Sequence, residues 1–190
     1  MLSVIIATDE SERALVSTLA ALVPGATAGA IREVIVADTG SRDQTAEVAD
    51  AAGCRIVVSP APLAGRLRAA AALARGAWLM FLRPGIAPEA TWIPEVMRFV
   101  DQAELAGDAA AGAAVFSSGT PAGGAVTPLF RFQRLFRRGF QSNQGLIIAK
   151  RRYDSSGGHR DGVADCEADL LHRLGRRSIT RLRTAAIMID

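Results

Sequence analysis

The stretch Ile31-Arg32-Glu33-Val34-Ile35-Val36-Ala37-Asp38-Thr39-Gly40-Ser41-Arg42-Asp43-Gln44-Thr45 decides how the chain is read. A β-branched run predicts a buried strand, a lone acid marks its carboxyl end, and Gly40-Ser41 turns the chain into a polar-started helix. Asp38 is thereby placed at a strand tip. In an open α/β sheet, ligands bind in the crevice outside the carboxyl ends of the strands, which makes Asp38 a candidate contact to a ribose or base. Acids at strand ends are also common turn formers, and that second reading of Asp38 stands beside the first.

Upstream, Leu2-Ser3-Val4-Ile5-Ile6-Ala7 is a continuous apolar run, the pattern of a parallel strand buried on both faces. Leu15, Leu19 and Leu22 then share a helical face, and Pro24-Gly25 predicts its end. Downstream, Ser41 with Gln44 three residues on matches a capping box, so a helix is expected over 42–52, closed by Gly53. A third strand is expected over 54–58 and, after Pro60 and Pro62, an alanine-rich helix that ends at Gly76. Arg66 and Arg68 sit in its first turn, against the helix dipole, which favours an anion nearby. Residues 77–82 read as a fourth apolar strand, Arg83-Pro84-Gly85-Ile86-Ala87-Pro88 as a turn, and 89–105 as a helix with Trp92, Val96 and Phe99 on its core face.

This alternation predicts an α/β fold: a single domain of 190 residues with a mostly parallel twisted sheet and helices on both faces. A fifth strand is expected at 113–117, followed by a Gly/Pro-rich loop at 118–127. Residues 128–140 place Leu129, Phe132, Phe136 and Phe140 on one face and arginines on others, a basic amphipathic helix. Such a helix either packs on the sheet or makes peripheral contact with a membrane or acceptor. A sixth strand at 145–149, a helix at 166–174 capped by Gly175, and strand segments within 179–189 complete the expected order.

Composition narrows the function classes. Lys150 is the only lysine, twelve arginines fall at or after Arg131, and only six acids follow Thr127, so positive charge gathers toward the carboxyl end. Such a field attracts a diphosphate, an anionic surface or nucleic acid. Nucleic acid is disfavoured, because no aromatic RNA-binding motif and no helix-turn-helix signal is present. Two cysteines, Cys54 and Cys166, and two histidines without paired spacing give no support for zinc. No apolar run is long enough to span a bilayer and no leader pattern precedes the first strand, so the expectation is a cytoplasmic protein, with membrane contact only from the side.

Three stretches together resemble family-2 glycosyltransferases of the nucleotide-diphospho-sugar transferase fold, which is glycosyltransferase A-type and Rossmann-like. They are Ser3-Val4-Ile5-Ile6 followed by Glu10, the run from Val36 to Thr45, and Ala72-Leu73-Ala74-Arg75-Gly76-Ala77-Trp78-Leu79-Met80-Phe81-Leu82. Gly65-Arg66, Asn143-Gln144-Gly145 and Arg173-Leu174-Gly175-Arg176-Arg177 are similar to a small bacterial subgroup. The resemblance implies a nucleotide-binding half over 1–105 and an acceptor-side half over 106–190. It implies that Thr8, Glu10 and Asp38 line the nucleotide pocket and that Arg66 approaches the nucleotide or its diphosphate. The family's metal-holding acids would stand at Arg83 and Gly85, and neither is an acid. Either Arg83 supplies the positive charge itself, since guanidinium binds phosphate bidentately, or the chemistry is lost.

The best match to the family's catalytic acid is Glu167, the candidate base that would deprotonate an acceptor hydroxyl. The implied substrates are a nucleotide-sugar donor and an unknown acceptor, with a divalent metal in doubt. The alternative is an inactive nucleotide-binding or interaction module on the same fold. A dinucleotide-binding protein is disfavoured, because no GxGxxG follows the first strand.

Overall fold

A computed structural model describes residues 1–107, 112–119 and 144–189. In chain order the elements are β1 (Leu2–Thr8), α1 (Glu12–Thr27), β2 (Ile31–Asp38), α2 (Thr45–Ala51), β3 (Arg55–Val58), α3 (Leu63–Leu73), β4 (Trp78–Leu82), β5 (Ile86–Pro88) and α4 (Trp92–Leu105). They continue with β6 (Ala113–Ser118), β7 (Leu146–Ala149), α5 (Lys150–Ser155), α6 (Cys166–Leu174), a 3-10 turn (Arg176–Ser178) and β8 (Thr180–Met188). The basic helix expected over 128–140 and most of the expected loop over 118–127 lie outside the described residues.

The strands form one sheet in the order β3-β2-β1-β4-β7-β6-β8-β5. The first four run parallel, with Ile5 of β1 opposite Ile35 on one side and Phe81 on the other. Beyond β4 the directions mix: β7 is antiparallel to both β4 and β6, β6 and β8 are parallel, and β5 closes the edge antiparallel to β8. The single-domain α/β architecture with a mostly parallel sheet is therefore as expected.

Alternation along β1 explains the two layers of core, since successive side chains point to opposite faces. Leu2, Val4 and Ile6 pack with Leu15 and Leu22 of α1, Ala49 of α2, and Trp92 and Val96 of α4. Ile5 packs with Ala64, Leu67 and Ala70 of α3, Tyr153 of α5, and Leu170 of α6. The stripe Trp92, Val96, Phe99, Val100, Ala103 is buried along α4, as its helical spacing predicts. Among the described residues, no helix is long and apolar enough to cross a membrane.

Three local expectations are corrected. First, α1 runs through Pro24 to Thr27. Proline removes one helical bond, but a Cβ on Gly25 would stand 2.4 Å from Trp92 Cζ2, so the glycine lets the indole pack directly on the helix backbone and the last turn is kept. Second, the segment after Pro84 is not only a turn. Gly85, at φ +80, reverses the chain, donates its N–H to Ala14 O and accepts the Ile189 N–H at 2.7 Å. Residues 86–88 thereby enter the sheet as β5, and α4 starts at Trp92. Third, α3 ends at Leu73, ahead of Gly76. The Arg75 and Gly76 N–H groups go to the Glu33 carboxylate and the Ser3 hydroxyl, which draws the chain out of the helix into β4.

His159 is buried beside β4, with its ring 4.9 Å from Phe81 and Nδ1 2.8 Å from the Tyr153 hydroxyl. Burial, then the positive charges of Arg173 and Arg68, pushes its pKa down to about 4. It is a neutral core imidazole.

Candidate active site

The carboxyl tips of β1 and β2 are tied together by side chains of the opening stretch. Asp38 is 1% exposed and accepts four hydrogen bonds: Thr8 Oγ1 at 2.7 Å and Ser41 Oγ at 2.6 Å on one oxygen, Gly40 N–H at 2.7 Å and Ser41 N–H at 2.6 Å on the other. Its burial works to raise the pKa, but the four donors outweigh it and hold the carboxyl below its ordinary range. Ser41 Oγ also accepts the Glu10 N–H at 2.9 Å, while Glu10 Oε1 accepts the Arg42 N–H at 2.8 Å. Asp43 accepts the Glu12 and Thr45 N–H groups, and Thr45 Oγ1 accepts the Ser11 N–H.

The capping box expected from Ser41 and Gln44 is not formed, because the Ser41 hydroxyl is committed to Asp38 and Glu10. Accordingly α2 starts only at Thr45. The motif works as a knot between the β1–α1 and β2–α2 turns. Its strain falls on Glu10, held at φ +46, a region non-glycine residues rarely occupy.

Arg66 explains itself differently from the anion that its position suggests. It is 7% exposed and Nη1 donates to Thr8 O at 2.7 Å and Ala37 O at 2.6 Å, so the guanidinium caps the strand-end carbonyls. Its Nε is buried without a partner among the described residues. Burial lowers its pKa against the pull of Asp9 and Asp38. Thr8 is 1% exposed and likewise lies beneath the surface.

Above this floor opens a cleft of about 350 Å³ that brings together Glu10 and Ser11 from the β1–α1 turn, Leu63 and Leu67 from α3, Arg83 from the β4 tip, and Glu167 from the first turn of α6. Of the six residues singled out in the sequence, Glu10, Arg83 and Glu167 line it, while Thr8, Asp38 and Arg66 are buried and do not. A second cleft of about 310 Å³ adjoins the first at Arg83 and is walled by Arg160, Asp161, Asp165 and Cys166. Cys166 and Asp165 stand beside Glu167 in the stretch that the family resemblance matches, whereas Arg160 and Asp161 carried no sequence signal beyond charge.

Arg83 and Glu167 meet directly. Arg83 Nε donates to Glu167 Oε2 at 2.6 Å, and Nη2 donates to the same oxygen. Asp165 holds the first turn of α6 from behind, its Oδ1 accepting the Glu167 and Ala168 N–H groups as the N-cap. Glu167 is much the more buried partner, with 13% side-chain exposure against 43% for Arg83. Burial therefore dominates for Glu167 and pushes its carboxyl pKa up, the Arg83 bond and charge offsetting only part of it. For Arg83 burial works downward, and the bond and charge of Glu167 overcome it to raise the pKa.

These residues do not fit a divalent cation at the β4 tip. Arg83 is itself a cation, Gly85 offers no side chain, and among the described residues no group of three or more His, Cys, Asp or Glu could hold a metal ion.

Solved structures of similar fold cover the whole chain. Glucosyl-3-phosphoglycerate synthase from Mycobacterium tuberculosis, in complex with Mn2+, uridine diphosphate and glucosyl-3-phosphoglycerate, matches 100% of this chain and 72% of its own at 20% identity, with a TM-score of 0.67. The mannosyltransferase PcManGT from Pyrobaculum calidifontis, in complex with GDP-Man and Mn2+, matches 100% and 56% at 14% identity, with a TM-score of 0.73. S. aureus TarS 1-349 in complex with UDP-GlcNAc matches 100% and 58% at 16% identity, with a TM-score of 0.70. No curated protein shows a significant sequence match to the chain. The family model for glycosyl transferase family 2 matches residues 3–161. The chain belongs to glycosyl transferase family 2.

Proposed function

We propose that the chain transfers a sugar from a nucleotide-diphospho-sugar donor to an acceptor hydroxyl, with Arg83 standing where the family resemblance calls for a divalent cation. The observation that carries this reading is the convergence of Glu10, Arg83 and Glu167, from three distant parts of the chain, on one cleft at the carboxyl ends of β1 and β4. The donor half is 1–105 and the acceptor side 106–190. Thr8, Asp38 and Arg66 serve the nucleotide from beneath by fixing the two turns on which it rests. Arg83 receives the diphosphate through charge-assisted hydrogen bonds.

Glu167 takes the proton of the acceptor hydroxyl. The acceptor oxygen forms its bond to the anomeric carbon as the carbon–oxygen bond to the β-phosphate breaks, and that electron pair leaves with the nucleoside diphosphate. A largely buried carboxylate with raised proton affinity suits this work.

The second reading, a binding module without turnover, is favoured by one feature: the Arg83 guanidinium already pairs with the carboxylate that would serve as base, through one of its two oxygens. Donor turnover separates the two. With UDP- and GDP-sugars and a panel of hydroxyl acceptors in chelator, release of nucleoside diphosphate by the wild type that falls at least a hundredfold in Glu167→Gln supports the transferase. Tight donor binding with no release in either protein supports the module.

A further inference from the structure

The proposed chemistry asks Arg83 to meet a diphosphate and Glu167 to accept a proton, yet each holds the other. Arg83 sits on the β4–β5 turn, and Glu167 is 84 positions away on α6. Both Arg83 nitrogens converge on one carboxylate oxygen, and no hydrogen bond to the other Glu167 oxygen is present among the described residues. Arg83 lines both clefts, so it is the side chain that any anion entering from either side meets. It is the more exposed member of the pair, on a four-bond stem, whereas Glu167 is fixed by burial and by the Asp165 cap. The movable partner is thus Arg83.

We infer that Arg83 latches the base: it neutralises Glu167 in the free protein, and a donor diphosphate draws it away and so releases Glu167 for proton transfer. This rests on the transferase reading given above. The physical reason is competition for one guanidinium. A diphosphate offers several oxygens and more charge than a single carboxylate, so the fork exchanges partners when the donor arrives. Once Arg83 has left, Glu167 keeps its burial but loses the one cation that opposed it, and its proton affinity rises further. The donor therefore binds before the base becomes competent, and acceptor deprotonation is confined to the donor-loaded state. Among the described residues, the titratable groups facing Glu167 are Arg83 from the β4–β5 turn, Asp165 and Cys166 from the start of α6, and Glu10 in the same cleft.

The test is a double-mutant cycle of inorganic pyrophosphate binding in chelator, by calorimetry, on the full chain: wild type, Arg83→Gln, Glu167→Gln and the double variant. Competition predicts that Glu167→Gln binds pyrophosphate about tenfold more tightly than wild type, because its guanidinium is already free. In the Arg83→Gln background the same substitution gives at most about twofold, the effect of removing a repelling carboxylate alone. Equal gains in the two backgrounds, or no pyrophosphate binding by any variant, overturn the latch.

A second readout follows the carboxyl 13C resonance of Glu167, one of eight glutamates, assigned by its loss in Glu167→Gln. Arg83→Gln should move its titration to higher pH by about one unit or more, and Arg83→Lys by less. An unmoved titration in Arg83→Gln also overturns the proposal. Sugar transfer is scored separately: the predicted cycle without turnover keeps the latch and removes the transferase reading.

Discussion

Replacing Asp38 by alanine should destabilise the chain by about 3–6 kcal/mol, and the structure says where that loss comes from. Hydrogen bonds to a charged acceptor contribute roughly 1.5–3 kcal/mol each. Asp38 accepts four, from Thr8, Gly40 and two groups of Ser41. Gly40 is exposed and Ser41 half-buried, so water takes over part of their share, whereas the Thr8 hydroxyl stays buried. Two of the four at full value give the figure. For a chain of this size each kcal/mol moves the melting temperature by about 2–4 °C, so a fall of roughly 10 °C is expected.

The assay is urea unfolding of wild type and Asp38→Ala with the slope monitored, since an unchanged slope assigns the shift in midpoint to stability. Its pH dependence follows from the lowered pKa of Asp38. The stabilisation is fully present above the ordinary value of 3.8 and is lost as pH falls through the lower folded value. The difference between the proteins should therefore hold between pH 7 and 5. A loss under about 1 kcal/mol at pH 7, or a difference that already shrinks between pH 7 and 5, refutes the knot.

Other consequences can be checked by the same unfolding measurement. Gly25→Ala forces a Cβ against the Trp92 indole and should lose about 1–3 kcal/mol, with α1 frayed after Leu22 in amide exchange. Glu95→Gln weakens the clamp in which its carboxylate accepts the Arg183 N–H at 2.7 Å and the Thr184 N–H at 2.8 Å, costing about 1–2 kcal/mol. His159, neutral in the fold down to about pH 4, must charge on unfolding below 6.5, so wild type should lose about 3 kcal/mol between these values; His159→Gln, which cannot titrate, should lose that much less.

Much of the sheet was legible because its central strands are continuous apolar runs. Val4-Ile5-Ile6 and Leu79-Met80-Phe81 can satisfy no other environment than burial on both faces. By contrast, β5 was hidden: three residues after Pro84-Gly85 look like a turn, and the partner that makes them a strand, β8, is about a hundred positions later. Local pattern likewise misled at Ser41, whose spacing to Gln44 is that of a capping box while its hydroxyl is claimed by Asp38 across the turn. For Arg66 the oddity in the helix first turn was real, and burial against two strand-end carbonyls accounts for it. Arg83 and Glu167 were each legible as chemically apt residues. Their contact was not, since nothing local in a sequence pairs positions 84 apart.

In the proposed transferase, Arg83 takes the charge of a nucleotide diphosphate at the β4 tip. Calorimetric titration of wild type and Arg83→Ala with uridine and guanosine diphosphates, in chelator and again with manganese, tests it most directly. Wild type should bind with an affinity that manganese leaves unchanged and that Arg83→Ala weakens at least tenfold. An equal dissociation constant in the two proteins, or binding that appears only with manganese, contradicts it.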